Sequence, residues 1–318
     1  MPAGEFDLID RIRARIVTRD DVVLGIGDDA ALLQPPAGMQ LVVAMDTLNA
    51  GIHFPHDTAP ADIGWKSLAV NLSDLAAMGA TPAWCTLSLS LPASEAAWVD
   101  AFSDGFDTLA RRHGVALVGG DTTRGPLSVC VTVFGFVSPG RALRRDAARV
   151  DDDIWVSGTP GDAAAALAQW SAGGARDPAL RVRLDRPTPR VALGLRLSGL
   201  AHAAIDISDG LLADLAHVCR ASDVRAEIDV DAVPTSDALR AAALEPGTRH
   251  ALQANGGDDY ELCFTAPVGA RDAIVAAALE ADASVNRIGR IVEGQGVVAT
   301  ASGAPWTPVR AGWDHFPG

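Results

Sequence analysis

Six short stretches carry the acidic side chains that could do chemistry: "GIGDDAA", "VAMDTL", "NLSDLAAMG", "VGGDTTRG", "AIDISDGL" and "NGGDDYEL". In each, aspartates end or interrupt an apolar segment. Neighbouring carboxylates such as Asp28 and Asp29 repel each other, and neither suits a core. They belong either at a solvated strand end or beneath a cation. Taken singly, an aspartate is a common turn residue or helix N-cap, and Asp209 before "GLLADLAHV" reads as an N-cap. Asp74 is different, because it interrupts an apolar helix face where a charge is costly unless it is paired or metal-bound. Oxygen ligands without a Cys or His grouping suit Mg²⁺ better than zinc, and carboxylate-held Mg²⁺ usually bridges to substrate phosphates. Glycines before Asp28, Asp121 and Asp258 let backbone N–H groups approach such a phosphate. The chemistry indicated is Mg²⁺-dependent work on a nucleotide.

The totals agree with this and narrow it. The chain has 318 residues, 48% hydrophobic and 21% charged, enough for one large domain or two of medium size. A net charge of −14 argues against a nucleic-acid surface. Lys66, in "IGWKSLA", is the one lysine among 26 basic residues and lies outside any GxxxxGK[ST] loop, so phosphate must be held by another device. No apolar run approaches the ~20 residues of a membrane span. The N-terminal stretch has no separate apolar signal-peptide core. Cys85, Cys130, Cys219 and Cys263 form no CxxC pair, and read as buried free thiols of a protein in a reducing cytoplasm.

The elements that must position the acids follow from periodicity. A helix is expected from Glu5 to Val17 and a strand from Met39 to Asp46 that runs out into its acid. Pro60 to Gly79 reads as a helix with a proline start and a glycine stop. Ala83 to Leu91 alternates as a strand, Ser94 to His113 is a helix, and Leu127 to Val137 is a long strand. The Arg-rich joint from Ser138 to Asp153 separates an N-terminal domain (1–140) from a C-terminal one (150–318). Beyond it, "IWVSGTPGDAAAALAQW" is strand, turn and helix, "GGARDPALRVRLDRPTPR" is loop-rich, "DDYELCFTA" is a strand and Ala270 to Glu280 a helix. Alternating strands and helices indicate two α/β or α+β layers.

The motifs "GEFDLIDR", "LGIGDDAALL", "MDTLNAGIHF", "PADIGWKSLAVNLSDLAAMGATPAW", "LVGGDTTRGPLS", "GRALRR", "SGTPGD", "AIDISDGLLADLAH" and "GGDDYELCF" resemble thiamine-monophosphate kinases along nearly the whole chain. The wider superfamily includes aminoimidazole ribonucleotide synthetase, selenophosphate synthetase and the hydrogenase-maturation dehydratase. The resemblance implies a two-domain aminoimidazole ribonucleotide synthetase-like fold. Its N-terminal α/β domain has a mixed sheet and pairs with a twin in a homodimer, and its C-terminal domain is α+β. It implies phosphorylation of thiamine monophosphate to thiamine diphosphate by ATP, with direct transfer of the γ-phosphoryl group and catalysis by metals and positioning. By motif, Asp29, Asp46, Asp74, Asp121, Asp206 and Asp209 resemble Mg²⁺ ligands, with Met45 offering a backbone carbonyl. Gly120, Asp121, Arg145 and Ser208 resemble ATP contacts, and His53, Asp258 and Trp313 substrate contacts.

The chain departs from the family pattern at Ala44 and Met45, where small hydroxyl residues are frequent, and at Asp258, where Glu is common. Two superfamily rivals lack their expected cysteines: the first here is Cys85, and the chain ends "DHFPG". A non-catalytic binding protein would be expected to have lost several of the aspartates, and no DxDxDG calcium loop occurs.

Overall fold

The computed structural model describes residues 5–173, 176–242 and 244–307. The chain divides into two units near residue 140, with the segment Ala76–Gly79 belonging to the second. Among the described residues no helix is long and apolar enough to cross a membrane.

The first unit contains α1 (Glu5–Arg13), the short pair β1 (Val22–Leu24) and β2 (Leu32–Leu33), β3 (Gln40–Asn49), α2 (Pro60–Ala77), β4 (Thr81–Leu91), α3 (Ala96–His113), β5 (Ala116–Arg124) and β6 (Ser128–Val137). Its main sheet has the order β3-β6-β4-β5, antiparallel except for the β4–β5 pair that α3 connects. Helix α1 is shorter than its pattern predicts, and β3 is longer, so Asp46 lies inside a strand and not at its end. The antiparallel ladder with β6 continues through Asn49↔Ser128, which extends β3 past its acid.

Helix α2 is buried along almost its whole length, polar residues included. Those polar groups are satisfied locally: Ser67 Oγ donates to the Gly64 carbonyl at 3.0 Å and Asn71 Nδ2 to the Ser67 carbonyl at 3.0 Å. Two glycines set the α2–α3 contact. A Cβ at Gly64 would collide with the Phe102 carbonyl, and one at Gly105 with the Ala61 carbonyl. The helices therefore touch backbone to backbone, which only glycine permits. Gly114 ends α3 with φ 62°, its N–H returning to the last turn.

The second unit contains β7 (Asp152–Ser157), α4 (Asp162–Ser171), α5 (Pro178–Asp185), α6 (Val191–Leu197), β8 (Ala203–Asp206), α7 (Leu211–Ser222), β9 (Arg225–Asp229), α8 (Asp237–Ala241), α9 (Pro246–Asn255), β10 (Leu262–Pro267), α10 (Arg271–Glu280), β11 (Val285–Val292), β12 (Gly296–Ala301) and β13 (Ala304–Trp306). The sheet order is β13-β12-β9-β11-β7-β10-β8. Leu211, Leu215 and Val218 of α7 pack into one core with Ile154, Ile205, Ile228, Cys263 and Ile291 from the sheet. The segment expected to be loop-rich holds α5 instead. Asp177 caps α5 by accepting the N–H of Ala179 and Leu180, and Pro178 sits in its first turn, so the start signal was present in "DP". The strand expected from "DDYE" begins only at Leu262. Asp258 (φ 68°) and Tyr260 (φ 52°) are left-handed, which interrupts an extended ladder.

Cys85, Cys219 and Cys263 are buried free thiols, and Cys130 is half-buried. Burial pushes the Cys85 and Cys263 thiols far up, so neither is poised for nucleophilic work.

Candidate active site

In the first unit the aspartates lie on different elements. Asp28 and Asp29 are exposed in the turn between β1 and β2, where the Asp28 side chain accepts the Asp29 N–H at 2.8 Å. Solvent therefore screens that pair. Asp46 lies on the edge strand β3, and its N–H donates to Asn71 Oδ1 of α2 at 2.9 Å. Asn71 and Asp74 share a helix face by their three-residue spacing, so the half-buried Asp74 is carried on the same face of α2 as the residue gripping β3. Asp121 lies on β5, the opposite edge strand. Three strand spacings separate β3 from β5, about 14 Å, so the sheet does not bring Asp46 and Asp121 together. Gly120 has φ 151°, and a Cβ there would strike the Leu87 carbonyl of β4, so its motif requires glycine. Met45 is exposed on β3, next to half-buried Ala44.

His53 lies in the turn after β3. Its Nδ1 accepts the Asn49 N–H at 2.9 Å, and its carbonyl accepts from the buried Lys66 ammonium at 2.9 Å. The single lysine thus works inside the first unit, away from solvent.

The second unit does bring two acidic motifs together. The Asp206–Gly210 segment lies against 257–260: the Asp258 N–H donates to the Ser208 carbonyl at 2.9 Å and the Tyr260 N–H to the Ile207 carbonyl at 2.8 Å. The glycines of "SDG" and "NGG" are needed at this contact. A Cβ at Gly257 would meet the Ser208 carbonyl, and one at Gly210 (φ 129°) would lie 2.7 Å from the Asn255 carbonyl. Asp209 does not cap α7; the cap residue is Gly210, with no side-chain bond. Asp214, one turn into the helix, supplies the acceptor. Its Oδ2 takes the N–H groups of Ser208, Asp209 and Gly210 at 3.0–3.1 Å. Burial, then the charges of Asp206 and Asp209, push the Asp214 carboxyl up to about 7, against the pull of those N–H groups. Arg145 is not brought to this loop. Its carbonyl accepts from Ser222 Oγ at the far end of α7, a helix length of about 18 Å away. Trp313 lies outside the described residues.

A second polar cluster, not foreseen from the sequence, backs the loop. Glu261, with no exposed surface, is gripped by Arg190 (2.6 and 2.5 Å), Arg183 (2.7 Å) and Ser157 (2.6 Å). Burial raises its carboxyl, but Arg190 and Arg183 outweigh burial and hold it ionised, below the ordinary value. Asp259 goes the other way. Burial drives it well above the ordinary carboxylate range despite the Gly161 N–H it accepts at 2.7 Å. Two acids two residues apart are thus pushed in opposite directions. One has arginines within reach of both oxygens; the other has an oxygen with no hydrogen-bond partner.

Among the described residues, no three His, Cys, Asp or Glu side chains are grouped as a complete metal site. The acid-rich edges instead offer carboxylates in ones and twos, with Asp206 buried beside the like-charged Asp209 and Asp214.

Residues 27–137 match the family described as AIR synthase related protein, N-terminal domain, and residues 149–302 its C-terminal domain. The thiamine-monophosphate kinase of Escherichia coli K12 is 47% identical over 327 residues, covering 99% of both chains. The chain belongs to the thiamine-monophosphate kinase family. Its two-domain architecture is that of AIR synthase-related proteins. A crystal structure of the family's Stenotrophomonas maltophilia K279a member superposes with a TM-score of 0.88 at 58% identity, covering 96% of this chain and 99% of that one. A second family structure, AaThiL complexed with AMPPCP and TMP, superposes at 0.78 with 33% identity, covering 98% and 97%.

Proposed function

We propose that this chain phosphorylates thiamine monophosphate with ATP, giving thiamine diphosphate and ADP. The observation that carries the reading is 47% identity to a thiamine-monophosphate kinase across 99% of both chains, joined to acidic motifs whose glycines and loop contacts are structurally required here. A terminal phosphate oxygen of the substrate attacks the γ-phosphorus in line, the bond to the ADP oxygen breaks, and no phosphoenzyme forms. No side chain is needed as acid or base; positioning and charge neutralisation lower the barrier.

The donor set fits Mg²⁺. It consists of carboxylates placed in ones and twos, and Mg²⁺ is usually held by one or two carboxylates, water and substrate phosphates. In the first unit Asp29, Asp46, Asp74 and Asp121 would hold such ions, with the Met45 carbonyl beside them. In the second, Asp206 and Asp209 would do so. When bound, Mg²⁺ supplies neutralisation of phosphate charge. The strand spacing between Asp46 and Asp121 supports a reading in which they would serve different ions. Gly120, Asp121, Arg145 and Ser208 hold ATP, with Arg145 and Ser208 on separate parts of it. His53, Asp258 and Trp313 contact the substrate.

We also propose a homodimer of this chain. Leu41, Val43 and Met45 are 50–63% exposed on β3, whose outer edge pairs with no strand among the described residues. A second copy would cover them. A reducing cytoplasm suits the four free thiols.

The test is incubation of the protein with ATP, Mg²⁺ and thiamine monophosphate, followed by chromatography. Equal amounts of thiamine diphosphate and ADP are expected. ATP consumption without thiamine diphosphate would overturn the reading.

A further inference from the structure

No residue assigned above lies on α9, yet two buried polar side chains anchor that helix to the segment 230–235. Gln253 Nε2 donates to the carbonyls of Val233 (3.3 Å) and Pro234 (2.9 Å) and to Thr235 Oγ1 (3.2 Å). His250 Nε2 lies 2.9 Å from Asp231 Oδ1. The other Asp231 oxygen accepts the N–H of Ser302, in the turn between β12 and β13, at 2.6 Å. Trp306 of β13 meets the imidazole edge to face, with centroids 6.4 Å apart and planes at 89°. One carboxylate thus joins α9, the turn after β9 and the last hairpin.

The partners fix where the ring carries its proton. The Ser302 N–H, helped by the His250 ring, holds the Asp231 carboxyl below its ordinary value, so a carboxylate faces Nε2 and needs a donor there. Arg249 Nη2 lies 3.1 Å from the same nitrogen, but it can only donate. His250 therefore bonds Asp231 through an Nε2–H. A half-buried pair of this kind adds little stability over an apolar pair, but it satisfies its groups in one placement only.

Helix α9 passes its placement on. It ends at Asn255, and Gly256, Gly257 and Asp258 follow directly. Its last turn is packed at contact distance on several sides. A Cβ at Gly256 would lie 2.3 Å from Ala164 Cβ of α4, one at Gly161 2.9 Å from Gln253 Cα, and one at Gly210 2.7 Å from the Asn255 carbonyl. Packing this close has no slack, so a displaced α9 moves the 208–210 turn and the 257–260 loop with it. We infer that His250 is a positioning residue: bonded to Asp231 it sets α9, and α9 sets the loop that presents Asp258 to the substrate. That role rests on the activity proposed above.

The test compares His250→Ala, His250→Gln and Asp231→Ala with Ile274→Ala, a buried position on α10 that makes none of these contacts. His250→Ala and Asp231→Ala are each expected to raise the KM for thiamine monophosphate about fivefold, and the double variant no further, since both break one bond. His250→Gln keeps an N–H for Asp231 and should recover most of the loss. Ile274→Ala should also melt lower, but with its KM within about twofold, which separates positioning from stability alone. Should His250→Ala fail to fold, Asp231→Ala decides. A KM within about twofold in Asp231→Ala, whatever its melting temperature, overturns the inference and leaves the proposed activity standing. If the unaltered protein yields no product, the activity falls and amide exchange decides the positioning role. The Asp258 and Tyr260 N–H groups, bonded to the Ser208 and Ile207 carbonyls, should then exchange faster in Asp231→Ala but not in Ile274→Ala. Unchanged exchange in Asp231→Ala overturns it.

Discussion

Asp214 Oδ2 lies 3.0 Å from the backbone nitrogen of Gly210, and the same oxygen accepts from Ser208 and Asp209. One carboxyl therefore fixes the turn that presents both candidate metal carboxylates of the second unit. Replacing it by alanine leaves three N–H groups without this acceptor and costs ~1–3 kcal/mol. Asp214→Ala should lower the melting temperature and raise the half-saturating Mg²⁺·ATP concentration about tenfold. Asp214→Asn keeps an acceptor oxygen and should lose much less of both. Equal behaviour of the two variants in thermal melts and nucleotide titrations would show that the acceptor is not what holds the turn.

Gly120 makes a separate point about why an acidic motif is glycine-rich. Its φ of 151° and the neighbouring Leu87 carbonyl leave no room for a Cβ. Gly120→Ala should cost ~2–4 kcal/mol through strain and overpacking and weaken ATP binding. Gly247→Ala is the control, since a Cβ there meets nothing within 4 Å. That variant should melt between no change and about 1 kcal/mol higher in stability. A Gly120→Ala protein as stable as the control would refute the steric account.

What could be read from the sequence was what repeats or punctuates. Strands and helices of the first unit followed from period two and period 3.6, most plainly β6, whose residues alternate in burial, and α3, which buries one face. The acidic motifs stood out because carboxylates beside apolar runs are rare. Asp214 escaped notice because its acceptor role depends on where the chain turns four residues earlier, which the helical pattern around it does not encode. Helix α5 was missed although Asp177 and Pro178 announce its start, since the many arginines around it masked an apolar stripe. The Glu261 cluster was invisible for a plainer reason. Its partners Ser157, Arg183 and Arg190 are 71 to 104 residues away, and no local rule pairs them.

Glu261 is the strongest case of a buried charge that must keep its partners. Both oxygens are bonded and the side chain has no exposed surface. Glu261→Gln leaves Arg183 and Arg190 facing a neutral amide in a dry site, which should cost ~3–5 kcal/mol. Adding Arg190→Gln removes one of the uncompensated charges and should recover a good part of the loss. Chemical denaturation of the two single variants and the double variant measures this coupling. Strict additivity of the two changes would mean the pair does not act as one.

Asp107 gives a pH dependence of unusual sign. Burial raises its carboxyl from 3.8 to about 6, with Arg111 and Arg15 only partly opposing. A folded carboxyl that resists ionisation leaves stability untouched at low pH and lowers it as pH rises from about 4 to about 6, by ~1–3 kcal/mol once partial solvation is allowed for. Asp107→Asn removes that term. Its melting temperature should match the unaltered protein near pH 4 and exceed it by several degrees at pH 7. His113 works in the opposite direction: burial and Arg112 lower it from 6.5 to about 4, so its term is lost as pH falls through that interval. Because His113 is common to both proteins, it cancels in the difference between their melting curves. A difference that does not change with pH would show that Asp107 ionises like an ordinary surface carboxylate.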